Sequence, residues 1–120
     1  MFNVEKRKKE RIAIFRLTGE IDLLRMMALR DAIIQVVREG YLKVLLDCHL
    51  VRSVNEKGLE VLTNTLSRLR RFDGDVLLLA LSPEVEDTFR AAGVYPFFSH
   101  YQEEREARRA CRLKRHAMAG

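Results

Sequence analysis

The chain has no tryptophan, two cysteines and two prolines, and no apolar run approaching the roughly 20 residues a membrane span requires. Its first residues, MFNVEKRKKER, lack the apolar stretch of a secretory signal, so the expected location is the cytosol and no membrane insertion is expected. Cys48 and Cys111 stand apart without CxxC spacing. That pattern excludes a disulfide scaffold and a cysteine-based zinc site, and both thiols are expected to be reduced. The glycines form no phosphate-cradling motif, so P-loop and dinucleotide chemistry drop out and no cofactor is expected. Without internal repeats or a long linker, the 120 residues suit one domain with a two-layer core.

What is present is an ordinary globular composition with a formal charge of +5. Arg105, Arg108, Arg109, Arg112, Lys114 and Arg115 face a single acid, Glu106, within one short stretch. That stretch accounts for the whole excess, with a small basic run at Lys6 to Arg11 opposed by acids elsewhere. The distribution argues against a dedicated nucleic-acid-binding domain, because such binding needs clustered charge and not merely a basic total. The tail is expected to be a solvated helix, its apolar positions Ala107, Ala110, Cys111 and Leu113 being small and few.

Strand and helix patterns alternate along the chain. RIAIFRLTG alternates as a strand with one well-buried face, stopped by Gly19. Met26, Leu29, Ile33 and Val36 form a helical stripe ending at Gly40. YLKVLLDC and DVLLLAL are the continuous apolar runs of central parallel strands. Between them, Leu59, Leu62, Leu66 and Leu69 mark a helix running to about Arg71. In SPEVEDTFRAAG, Ser82 caps, Pro83 opens and Gly93 stops a further helix. FFSHY suits a last short strand, followed by the charged helix QEEREARRACRLKRH with acids early and bases late. Helices between parallel strands imply an α/β domain with a mixed, mostly parallel sheet of four to five strands and about four helices.

Three segments, FRLTGEIDLL, VLLDCHLVRSVNEKGLEVL and VLLLALSPEVEDTFRAAGVYPFF, resemble in their order and spacing the STAS domain, the fold of bacterial anti-sigma factor antagonists. The resemblance runs from about Ile12 to Ala107 and implies a STAS-like domain over residues 1–107, with 108–120 as a basic helix end or tail. In that family the segment after the central strand reads aliphatic, Asp, Ser, Ser, Gly, Leu. Its first serine is phosphorylated by a partner that is both kinase and anti-sigma factor. Laid onto this chain, the pattern puts Val54 at the aliphatic position, Asn55 at the aspartate, Glu56 at the phosphorylated serine and Lys57 at the second serine, while Gly58 and Leu59 agree. Asp22 matches a family acid on the neighbouring loop.

The implied partner is an anti-sigma serine kinase or another regulatory protein, docked on Gly19 to Leu24 and Ser53 to Leu62. A homodimer remains open. The candidate switch or partner-binding residues are therefore Asp22, Ser53, Asn55, Glu56, Lys57 and Gly58. A carboxylate at position 56 offers a fixed charge near a helix start, where phosphate would bring roughly −1.5 to −2. The plainer reading is that Asn55 is an N-cap and Glu56 a helix-stabilising acid. Ser53, Thr63 and Thr65 are the alternative phosphorylation sites. The alternative function is a non-phosphorylatable scaffold subunit in a signalling or transporter-associated complex.

No enzyme is expected. Asp47, Cys48 and His49 are consecutive, but adjacent strand residues point to opposite faces, so thiol and imidazole would not meet. Nothing in the sequence converges on Asp22 and Glu56 to complete an acid–base pair or a metal site.

Overall fold

The computed structural model describes residues 2–119, with side chains described through residue 112. Strand β1 (Phe2–Arg7) pairs antiparallel with β2 (Ile12–Ile21), Phe2 opposite Leu17 and Arg7 opposite Ile12. The sequence pattern does not announce β1. It lies at the edge of the sheet, where charged side chains such as those of EKR keep the strand from pairing with other chains.

After the hairpin come α1 (Leu23–Arg38), β3 (Lys43–Val54), α2 (Glu56–Arg70), β4 (Asp75–Leu79), α3 (Pro83–Ala91), β5 (Ser99–Tyr101) and α4 (Glu104–Ala119). The strands lie in the order β1-β2-β3-β4-β5, and every pair after the first is parallel. This is the expected α/β architecture, a mixed and mostly parallel sheet of five strands with four helices. Ser82 caps α3 by accepting from the Val85 N–H at 3.2 Å, with Pro83 in the first turn.

The core is split by the sheet. Helices α1, α2 and α3 pack on Ala13, Phe15, Leu17, Val44, Leu46 and Leu78. On the other face, Ile12, Ile14, Leu45, Leu77 and Leu79 meet Ala107 and Cys111 of α4. Strand β2 is thus buried on both sides and not on one, because α4 covers the face that the strand pattern alone leaves open. The same contact corrects the expected solvated tail: α4 crosses the 107/108 boundary unbroken, and Cys111 is 2% exposed. Small side chains suit this job, since they let the helix approach the sheet closely. Leu113, Lys114 and Arg115 lie outside the residues whose side chains are described.

Two strands run further than their patterns suggest. β2 does not stop at Gly19, which takes φ 80° inside the strand, but continues to Ile21. β3 continues past Cys48 to Val54. Between Ile12–Lys43 and Ile21–Val54 the longer strand carries two extra residues, absorbed at register shifts next to Arg16/Thr18 and Gly19/Glu20. Each shift flips the alternation, so Val44, Leu46 and Cys48 are followed into the same core by Val51 and then Val54. Strict alternation therefore loses the strand where the bulges begin.

Candidate docking surface

Because β2 and β3 are parallel neighbours, both leave the sheet at the same edge, and α1 and α2 start there side by side. Ile21 pairs with Val54, so Asp22 and Asn55 follow at the same level, and the Asn55 N–H donates to the Ile21 carbonyl at 3.0 Å. Each residue caps its own helix. Asp22 Oδ1 accepts from the Arg25 N–H at 2.8 Å, and Asn55 Oδ1 accepts from the Gly58 N–H at 3.1 Å. Arg25 turns back to donate from Nη1 to the Glu20 carbonyl at 2.7 Å. Two positive helix ends thus share one rim.

Gly58 lies under this rim. A Cβ there would sit 3.2 Å from Met26 Cβ, so α1 and α2 touch at this point and a side chain would have to push them apart. Glu56 and Lys57 stand in the exposed first turn of α2, and among the described residues neither side chain has a hydrogen-bond or ion-pair partner. Ser53 is exposed near the end of β3, opposite Glu20. The structure therefore brings Asp22, Ser53, Asn55, Glu56 and Lys57 to one rim with Gly58 beneath.

Of the alternative phosphorylation sites, Thr65 is ruled out: it is 1% exposed, and its hydroxyl donates to the Val61 carbonyl at 2.8 Å. Thr63 is half-buried and donates to the Leu59 carbonyl at 2.7 Å, leaving Ser53 as the exposed hydroxyl of the three. Sequence reasoning also passed over an apolar rim. Leu24 is 76% exposed, and Leu23 and Met27 flank it on the first turns of α1. The signal was in LLRMM, which holds more apolar residues than the Met26–Leu29–Ile33–Val36 stripe uses.

Away from this rim, Cys48 and His49 do point apart. Cys48 enters the three-helix core, where burial pushes its thiol up to about 12. His49 shares the other face with Asp47, with Nδ1 at 2.9 Å from Oδ1. Arg16 joins that carboxylate to two more, reaching Asp47 at 3.1 Å, Glu104 at 2.6 Å and Glu5 at 3.1 Å. Burial would raise the Asp47 pKa, but hydrogen bonds from His49 and Arg16 outweigh it and hold the carboxyl below its ordinary value. Arg108, paired with Glu10 and reaching towards Glu104, extends the network along α4. This is a polar clamp between sheet and helix.

A family model for the STAS domain matches residues 3–107. The chain belongs to the STAS domain family. Among solved structures, an anti-sigma factor antagonist from Mycobacterium paratuberculosis shares 24% identity, over 93% of this chain and 93% of that one, with a TM-score of 0.78. The anti-sigma factor antagonist SpoIIAA in its unphosphorylated form shares 21% identity, over 92% of this chain and 96% of that one, at 0.76. SpoIIAA of Bacillus has also been solved phosphorylated. A sulfate transporter family protein from Wolinella succinogenes shares 13% identity, over 87% of each chain, at 0.73. At these identities the likeness is one of fold. Among the described residues of this STAS domain, no helix is long and apolar enough to cross a membrane.

Proposed function

We propose that this STAS domain is a protein-docking module of the anti-sigma factor antagonist kind, not an enzyme. It offers the rim of α1 and α2 to an anti-sigma serine kinase or a similar regulatory protein, and so acts on transcription. The observation that carries this reading is the exposed, uncommitted Glu56 beside the Asn55 cap, next to the apolar Leu23, Leu24 and Met27. A charged helix start with an apolar neighbour fits a protein partner, since apolar anchors exclude water while rim charges select among partners.

In this reading Glu56 holds a permanent negative charge at the place of a reversible one. It has no hydroxyl to carry a phosphate ester, and its single charge imitates phosphate only in part. The domain then stays outside the phosphorylation cycle and engages its partner constitutively. Lys57 opposes the helix dipole and has no ion-pair partner among the described residues, which suits an acidic patch on the partner.

Affinity capture with wild type, Glu56→Ser and Glu56→Ala tests the role of Glu56. Unequal capture of one partner is expected, and equal capture by all three reduces Glu56 to a helix-start residue. Incubation with a kinase encoded beside the gene, and with ATP, tests the cycle. Phosphate is expected on Glu56→Ser and not on wild type, and phosphate on any wild-type residue overturns the claim. The fold shared with a sulfate transporter family protein supports a second reading, a scaffold subunit in a transporter-associated or signalling complex. Capture of a transporter or sensor subunit in place of a kinase would favour it.

A further inference from the structure

We infer that the opposite edge of the sheet, where the parallel strands begin, is a docking face for an anionic membrane surface. Three loops meet there: the β1–β2 turn, the α1–β3 loop and the α2–β4 loop. They are stitched together by backbone bonds, from the Lys43 N–H to the Arg11 carbonyl at 3.4 Å and from the Asp75 N–H to the Leu42 carbonyl at 3.0 Å. The Lys43 ammonium adds a bond to the Asp73 carbonyl at 3.0 Å. Neighbouring strands about 4.8 Å apart make this end roughly 15 Å wide from β1 to β4.

Lys8, Lys9, Arg11, Arg38, Arg68 and Arg71 are all exposed here, and among the described residues none has an ion-pair partner. The acids at this end are mostly committed. Glu10 is held by Arg108 and Arg112, Glu39 by Lys6 and Asp75 by Arg70, and among the described residues the Asp73 carboxylate has no ion-pair partner. Arg38 and Arg68 also complement helix C-termini, but Lys8, Lys9 and Arg11 lie on a hairpin and answer to no helix. The basic surplus therefore gathers at this end, while the tail arginines Arg108 and Arg112 are tied to Glu10.

Two aromatic residues project among these cations. Phe72, on the α2–β4 loop, is 70% exposed, and Phe97, on the connection from α3 to β5, is 53% exposed and tied to α2 by Arg70, which donates to its carbonyl at 2.8 Å. Basic residues around exposed apolar rings suit a headgroup layer, where cations meet phosphate and rings enter the acyl boundary. Ile12, Lys43 and Asp75 pair in register, so the strands that carry the three loops begin at one level and the loops project from a common edge. A single-stranded nucleic acid needs a groove that tracks its backbone, so loops projecting from a common edge favour a membrane. Bound in this way, the domain would hold the α1–α2 rim away from the lipid.

Flotation with phosphatidylcholine vesicles, with and without phosphatidylglycerol, tests the inference on the full chain. Binding is expected to the anionic vesicles alone and to fall as salt rises. Each cation near such a surface raises affinity about fivefold, so Lys8→Glu with Lys9→Glu should weaken binding by roughly 30-fold or more. Arg30→Glu with Arg52→Glu changes the net charge equally, away from this end of the sheet, and should bind as wild type does. Phe72→Ser should release the protein at lower salt. Unchanged far-ultraviolet circular dichroism confirms that each variant is folded. No binding to anionic vesicles at low salt, an equal loss for both charge pairs, or capture of a single-stranded oligonucleotide without vesicle binding overturns the inference.

Discussion

Arg16→Met removes the guanidinium that ties β1, β3 and α4 together and leaves much of the aliphatic stem in place. Glu5 and Glu104 have side chains 40% and 30% exposed, so their pairs contribute at most about 1 kcal/mol each after screening. Asp47 sets the scale. Its side chain is 6% exposed, and breaking a buried pair costs about 3–5 kcal/mol when no other partner remains. His49 does remain, so the expected loss is about 2–3 kcal/mol near neutral pH.

The pH dependence distinguishes lost charge pairing from lost packing. A carboxyl with a depressed native pKa stabilises the fold above its unfolded value of about 3.9, and this stabilisation disappears as pH falls through the lower native value. Without Arg16 the Asp47 pKa rises, so the deficit of the variant should be widest near neutral pH and narrow towards about pH 3. Urea unfolding at both pH values measures this. Adding Asp47→Asn should cost less in the variant than in wild type, since the two residues are coupled. A deficit under about 0.5 kcal/mol at neutral pH, or one equally large in acid, refutes the argument.

Asn55→Ala should cost about 1 kcal/mol in thermal unfolding by leaving the Gly58 N–H without its cap, and Asn55→Asp should restore most of it. Ala107→Glu would bury a carboxylate against Ile12, Ile14 and Leu77, and should cost several kcal/mol or make the protein aggregate, as read by urea unfolding and gel filtration. Cys48 and Cys111 are both buried, and the Cys48 thiol is pushed up to about 12. A thiol-reactive dye at mildly alkaline pH should therefore label neither in the native protein and both in urea.

The regular elements were legible because apolar periodicity records which side of an element is covered. SPEVEDTFRAAG carried its own cap and proline, and the apolar stripes of α1 and α2 could be read directly, though the buried face of α2 also takes in Thr65. Edges and irregularities were not. β1 is a charged edge strand, and the far half of β3 is hidden by two bulges that break the alternation. Of the candidate site, Asn55 as a cap could be read locally, whereas its level with Asp22 depends on the Ile21–Val54 pairing.

By itself the sequence determined the alternation of strands and helices, the caps of α2 and α3 and the odd charge at Glu56, since each depends on neighbours within a few positions. Only the tertiary structure decided where charge and apolar surface accumulate. In sequence the basic surplus lies in the tail, but in space Glu10 takes up Arg108 and Arg112, while cations from the β1–β2 turn and from the C-terminal ends of α1 and α2 are gathered at one end of the sheet. The second face of β2 is buried by a helix that begins more than 80 residues later. Parallel strands bring their like ends together, so residues far apart in the chain come to share one edge.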